Sequence, residues 1–115
     1  MQHKGFTLTP TSLGRVNVIT AGTAVQLSTT SKPCSHIRLS VVAGLTGKMY
    51  LGRKGFVAGS AMTGVIKEFA PNPSGGVDDS YDIQIGSDGN RLNLQDYWID
   101  AAVSGEGLIV AYWTS

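Results

Sequence analysis

Apolar and polar residues alternate along most of this chain, and no long window repeats its apolar residues at the 3.6-residue period of a helix. Alternation with period two is what a half-buried strand requires, because successive side chains point to opposite faces. Val16 and Val18 share one face, and Val25 and Leu27 share another after the turn Ala21-Gly22-Thr23. This predicts a first hairpin with a three-residue connection. Pro33 then breaks the chain, since it cannot donate to a ladder. The cleanest pattern follows: Ile37, Leu39 and Val41 on one face, His36, Arg38 and Ser40 on the other. Met49 and Leu51 alternate next, and Val65 to Phe69 predicts a further strand. Tyr81, Ile83 and Ile85 alternate, as do Leu92 and Leu94. Asp88-Gly89 is a favoured pair for a tight turn. Residues 97–115 predict a closing hairpin around Ser104-Gly105-Glu106-Gly107, with Gly105 and Gly107 meeting backbone needs of the turn.

About eight short strands separated by turns predict an all-β fold, an antiparallel β-sandwich or jelly roll. Residues 1–14 carry little pattern and are expected to form an N-terminal arm, with the β-sandwich domain over 15–115. Residues 70–79, rich in proline, glycine and acid, predict an exposed loop with nothing to bury.

A chain of 115 residues suffices for one domain with a core. Its hydrophobic fraction of 42% argues against disorder. Charged residues make up only 15%, so some surface is expected to be covered by a partner. The net charge is +1 and Arg53-Lys54 is the only adjacent basic pair. Nucleic acid is therefore not an expected partner, because phosphate binding needs a concentrated basic face. No run approaches the length of a membrane span and the N-terminus lacks a secretory h-region, so synthesis and folding in a cytoplasm are expected, with no membrane partner.

Sequence motifs for catalysis are missing. Gly-x-Ser-x-Gly does not occur, and Gly44 to Lys48 is too short for a phosphate-binding loop. His3 and His36 are the only histidines, and a zinc site would need distant segments to converge on them. The lone Cys34 excludes an intrachain disulfide and reads as a small buried hydrophobe, although His36 would share its face on one strand. Asp78, Asp79, Asp82 and Asp88 crowd one region, but their order does not reproduce an EF-hand loop, and solvated loop acids are the expected outcome. No enzyme, no catalytic residue, no cofactor and no metal are expected.

The aromatics carry more. Tyr97-Trp98 and Tyr112-Trp113 are adjacent pairs whose members point to opposite faces of a strand, and if the two strands pair, one member of each can fill the core while the other faces out. Outward aromatics at low charge density suit contact with a partner or a sugar ring.

Three stretches, taken together, resemble a known group. They are VQLSTTSKPC (25–34), MYLGRKG (49–55) and YWIDAAVSGEGLIVAYW (97–113). They are similar, in this order, to head decoration (cement) proteins and related accessory virion proteins of tailed bacteriophages. Residues 54–80 are longer than the corresponding connection in that family. The resemblance implies a small β-sandwich virion protein, made in the host cytoplasm, that binds the outer capsid surface. Its partners would be the major capsid protein and its own copies, as a homotrimer at threefold positions. Phe6 and Leu8 would anchor the arm on a neighbour, and Trp98 and Trp113 would serve a partner face. The alternative is a tail-tip or fibre-associated receptor- or carbohydrate-binding module.

Overall fold

The computed structural model describes residues 9–58, 62–76, 79–84 and 92–114. Among these lie ten strands and one 3-10 turn. The strands are β1 (Thr9–Asn17), β2 (Val25–Gln26), β3 (Pro33–Cys34), β4 (His36–Ser40), β5 (Met49–Val57), β6 (Thr63–Phe69), β7 (Ser80–Gln84), β8 (Leu92–Asn93), β9 (Tyr97–Ala101) and β10 (Gly107–Thr114). The 3-10 turn, Leu94–Asp96, is capped by Asn93, whose side chain accepts from the Gln95 N–H.

Two four-stranded antiparallel sheets carry the fold. Sheet A has the order β1-β10-β4-β7 and sheet B the order β2-β9-β5-β6, with β3-β8 as a small third ladder. The pairs are nested: β1 with β10, β2 with β9, β3 with β8, β4 with β7 and β5 with β6. The chain is thus one long antiparallel ribbon, doubled back between β5 and β6 and wound into two layers. That winding is the jelly roll, and the all-β sandwich expected from the sequence is what forms. Alternation supplies the core between the layers: Ile37, Leu39, Leu108 and Val110 from sheet A meet Leu51, Phe69 and Ile99 from sheet B. Cys34 is fully buried there as well, as its setting in the sequence suggested.

The two expected hairpins are not hairpins. β1 lies in sheet A and β2 in sheet B, and β9 and β10 are split in the same way. Each turn is an arch that carries the chain across the core. The physical reason is that both strands of each pair present an apolar inner face, and a short polar connection serves a reversal beside the strand or across the layers equally well. Only β5–β6 pairs with its immediate neighbour in the chain among the main strands. Strand β1 also reaches back to Thr9, so residues 9–14, read as part of the arm, run in sheet A opposite β10. Phe6 and Leu8 lie outside the described residues.

The arches are held by side chains. The Glu106 carboxylate accepts from the Thr46 N–H (2.8 Å), the Thr46 hydroxyl (2.7 Å) and the Gly47 N–H (2.9 Å). Partial burial pushes this carboxyl up, but those donors more than offset it and hold it below its ordinary value. The buried Asp100 carboxylate accepts from the N–H groups of Gly22 (3.0 Å) and Ala101 (2.8 Å). Residues 70–79 are not wholly exposed as expected. Asn72 is buried, its N–H donates to the Leu45 carbonyl (2.7 Å), and its Nδ2 donates to the Val42 carbonyl (3.2 Å). A polar side chain with these local backbone partners can be buried at little cost.

Candidate functional site

The outer faces of the two sheets, not an enclosed cleft, hold the chemistry. Buried Tyr97 and Ile99 flank Trp98 on β9, which places Trp98 on the outer face of sheet B. On β10 Tyr112 packs against the core, which places Trp113 on the outer face of sheet A. The in-and-out split of each aromatic pair is as the alternation predicts. The two tryptophans are not brought together; they mark opposite faces of the sandwich.

On sheet A the register sets Trp113 beside His36, and Arg38 beside Asp82. The His36 and Trp113 rings stack with centroids 4.4 Å apart and planes at 24°. His36 Nε2 lies 2.8 Å from Asp82 Oδ1. Arg38 donates through Nε to Oδ1 (2.8 Å) and through a terminal nitrogen to Oδ2 (3.0 Å), a bidentate pair. The Arg38 guanidinium is the main cause that holds the Asp82 carboxyl down, to about 2; burial opposes it and His36 assists. His36 therefore faces Asp82 and Trp113 on the outer surface, whereas Cys34 belongs to the core.

A depressed carboxyl contributes stability above its unfolded value near 3.8 and loses that contribution as pH falls toward 2. Arg38 is 50% exposed and Asp82 31%, so solvent screening limits the contribution to about 1 kcal/mol. Asp82→Asn is expected to lower the urea midpoint at pH 6 and to lower it much less at pH 2, where about half of the Asp82 carboxyl is protonated. An equal loss at both pH values would show that the ion pair is not the cause.

The other acid of this region, Asp79, works separately. It accepts from the Ala70 N–H (3.1 Å) and lies 3.2 Å from Lys67 Nζ. Burial raises its carboxyl, and the Ala70 N–H and Lys67 more than compensate. Among the described residues no three His, Cys, Asp or Glu side chains gather as a metal site would need; Asp78 and Asp88 lie outside them.

On sheet B, Trp98 stands in an open hollow of ≈ 550 Å³ lined also by Gln26, Arg53, Lys54, Gln95 and Asp96. The Arg53 guanidinium carbon sits 5.3 Å from the centroid of Tyr97, whose phenol burial pushes up. Gln26 Nε2 donates to the Gln95 carbonyl (2.7 Å), and Gln95 Nε2 donates to the Thr29 carbonyl (3.2 Å).

Sequence reasoning missed both assemblies. The signals were the polar side of the His36-Arg38 alternation and the adjacent Arg53-Lys54, but their partners are fixed only by strand register.

No family model, no curated protein and no solved structure matches this chain. The likeness to head decoration proteins rests on the three sequence stretches alone.

Proposed function

We propose that this protein is a structural virion protein of a tailed bacteriophage, bound to the outer surface of the capsid as a decoration or cement protein. One observation supports it most: the sandwich carries an outward tryptophan on each of its two sheets, Trp98 and Trp113. A cement protein needs at least two adhesive faces, one for the shell and one for a neighbouring copy. Ile109, 44% exposed on β10, extends the sheet A face. Aromatic anchors of this kind dominate the energetics of interfaces.

The work is mechanical. A protein that binds the assembled shell and not its dissociated subunits stabilises the shell by mass action, by about 2.7 kcal/mol per site at a hundredfold excess over Kd. Trimers at threefold positions would span seams between capsid subunits, and Phe6 and Leu8 would extend the grip. Purified protein is expected to co-sediment with undecorated expanded heads and to raise the temperature at which they release DNA. Heads that neither bind it nor gain heat resistance would refute the reading. The tail-tip or fibre role is separated by position: density at shell lattice points in a particle reconstruction excludes it.

A further inference from the structure

We propose that the hollow beside Trp98 is a binding site for an acidic saccharide. This goes beyond shell binding and is read on the isolated chain, where no shell or neighbouring copy covers Trp98. Its volume, ≈ 550 Å³, is in the range of small-ligand sites.

The two tryptophans differ in what they leave available. Trp113 already stacks on His36, so one ring face is occupied. Trp98 has no ring partner among the described residues and borders the hollow. An indole face offered to an open hollow matches the apolar C–H face of a pyranose ring.

Charge selects the kind of sugar. Arg38, Lys48 and Lys67 are each neutralised by Asp82, Glu68 and Asp79. Arg53 and Lys54 have no acidic partner within ion-pair distance among the described residues, and both line the hollow. Among the described residues Asp96 is the only carboxylate on the rim, so their lining has a surplus positive charge. Two adjacent cations beside an aromatic platform suit a ring that carries a carboxylate or a sulfate.

The amides complete the arrangement. Gln26 and Gln95 are tied through their Nε2 atoms to backbone carbonyls, which fixes the side chains before any ligand arrives. Each then offers its Oε1 to accept from a sugar hydroxyl, while Asp96 offers a second class of acceptor. A nucleic acid fits poorly, because one cation pair cannot replace the run of phosphate contacts that such binding needs.

The test uses the full chain. In Trp113→Phe the only tryptophan left is Trp98, so its fluorescence reports the hollow directly. Trigalacturonic acid (carboxylated), a heparin-derived tetrasaccharide (sulfated) and maltotriose (neutral) are titrated in turn. At least one acidic probe is expected to give a saturable change that weakens with added salt, and which one responds identifies the anion. Calorimetry on Arg53→Gln/Lys54→Gln should show about tenfold weaker binding of that probe. Trp98→Ala, checked for an unchanged circular dichroism spectrum, should lose at least about tenfold. The proposal is overturned if neither acidic probe saturates, if maltotriose binds as tightly, or if the folded Trp98→Ala or the double glutamine variant keeps full affinity. Failure here leaves head binding untouched, and the two results are read from different partners.

Discussion

Gly107→Ala is expected to cost about 3 kcal/mol and to lower the melting temperature by about 10–20 °C. Gly107 opens β10 and faces Asn17 on β1. A Cβ there would overlap the Val16 carbonyl oxygen and come within 2.8 Å of the Asn17 Cα. These are backbone atoms, held by the Val18 N–H to the Glu106 carbonyl (2.8 Å) and the Gly105 N–H to the Val18 carbonyl (2.7 Å). Relief therefore means separating β1 from β10 at the place where the arch enters sheet A. Gly105→Ala is the control. Gly105 has a φ of +87° and open space around its Cβ position, so alanine meets strain without collision, about 1 kcal/mol. Thermal and urea denaturation of both variants decide the matter. A Gly107→Ala protein no less stable than Gly105→Ala would refute the close-approach argument.

Phe69→Ala is expected to destabilise by about 3–5 kcal/mol. Phe69 is among the largest side chains with no exposed surface, and it closes the core from the edge strand β6 opposite Met49. Its ring also lies 5.5 Å from Lys67 Nζ, which reaches Asp79 on the approach to β7. Removal leaves a cavity and takes away the ring that the Lys67 charge lies over. Against a typical stability of about 5–15 kcal/mol this is a large fraction, and the urea midpoint should fall with little change in slope. Phe69→Leu keeps most of the volume and should lose far less. A loss below about 1 kcal/mol in the alanine variant would mean that the site collapses freely and that Phe69 is not a core closure.

Much of the layer structure is legible in the sequence because burial imposes it residue by residue. Ile37 and Leu39 are fully buried and Arg38 between them is exposed, as alternation demands. Tyr97 goes in and Trp98 out for the same reason. Strand partnership is different. Thr9 faces Thr114 across the ladder, and nothing local to either residue encodes the other. The turns after β1 and β9 specify reversal but not whether the next strand lies alongside or across the core. β5 runs on to Val57 through Gly52 and Gly55, where glycines and shifted register erase the alternation that would have marked it. Asp82 read as one acid of a loop cluster, yet it binds His36 and Arg38 from β4. The hollow around Trp98 draws Gln26, Lys54 and Gln95 from three separate segments, so no spacing announces it.

The nested ribbon also favours one order of folding over others. β5 and β6 are the one main pair within easy reach along the chain, so their contact costs the least loop entropy to close. Once they meet, β4 and β7 have a short gap to bridge, and each rung so formed shortens the search for the next, outward to β1 and β10. Loop closure thus favours a zipper started at the middle, and a lesion in the β5–β6 pair is expected to slow refolding, followed by stopped flow, more than one in the outermost β1–β10 pair.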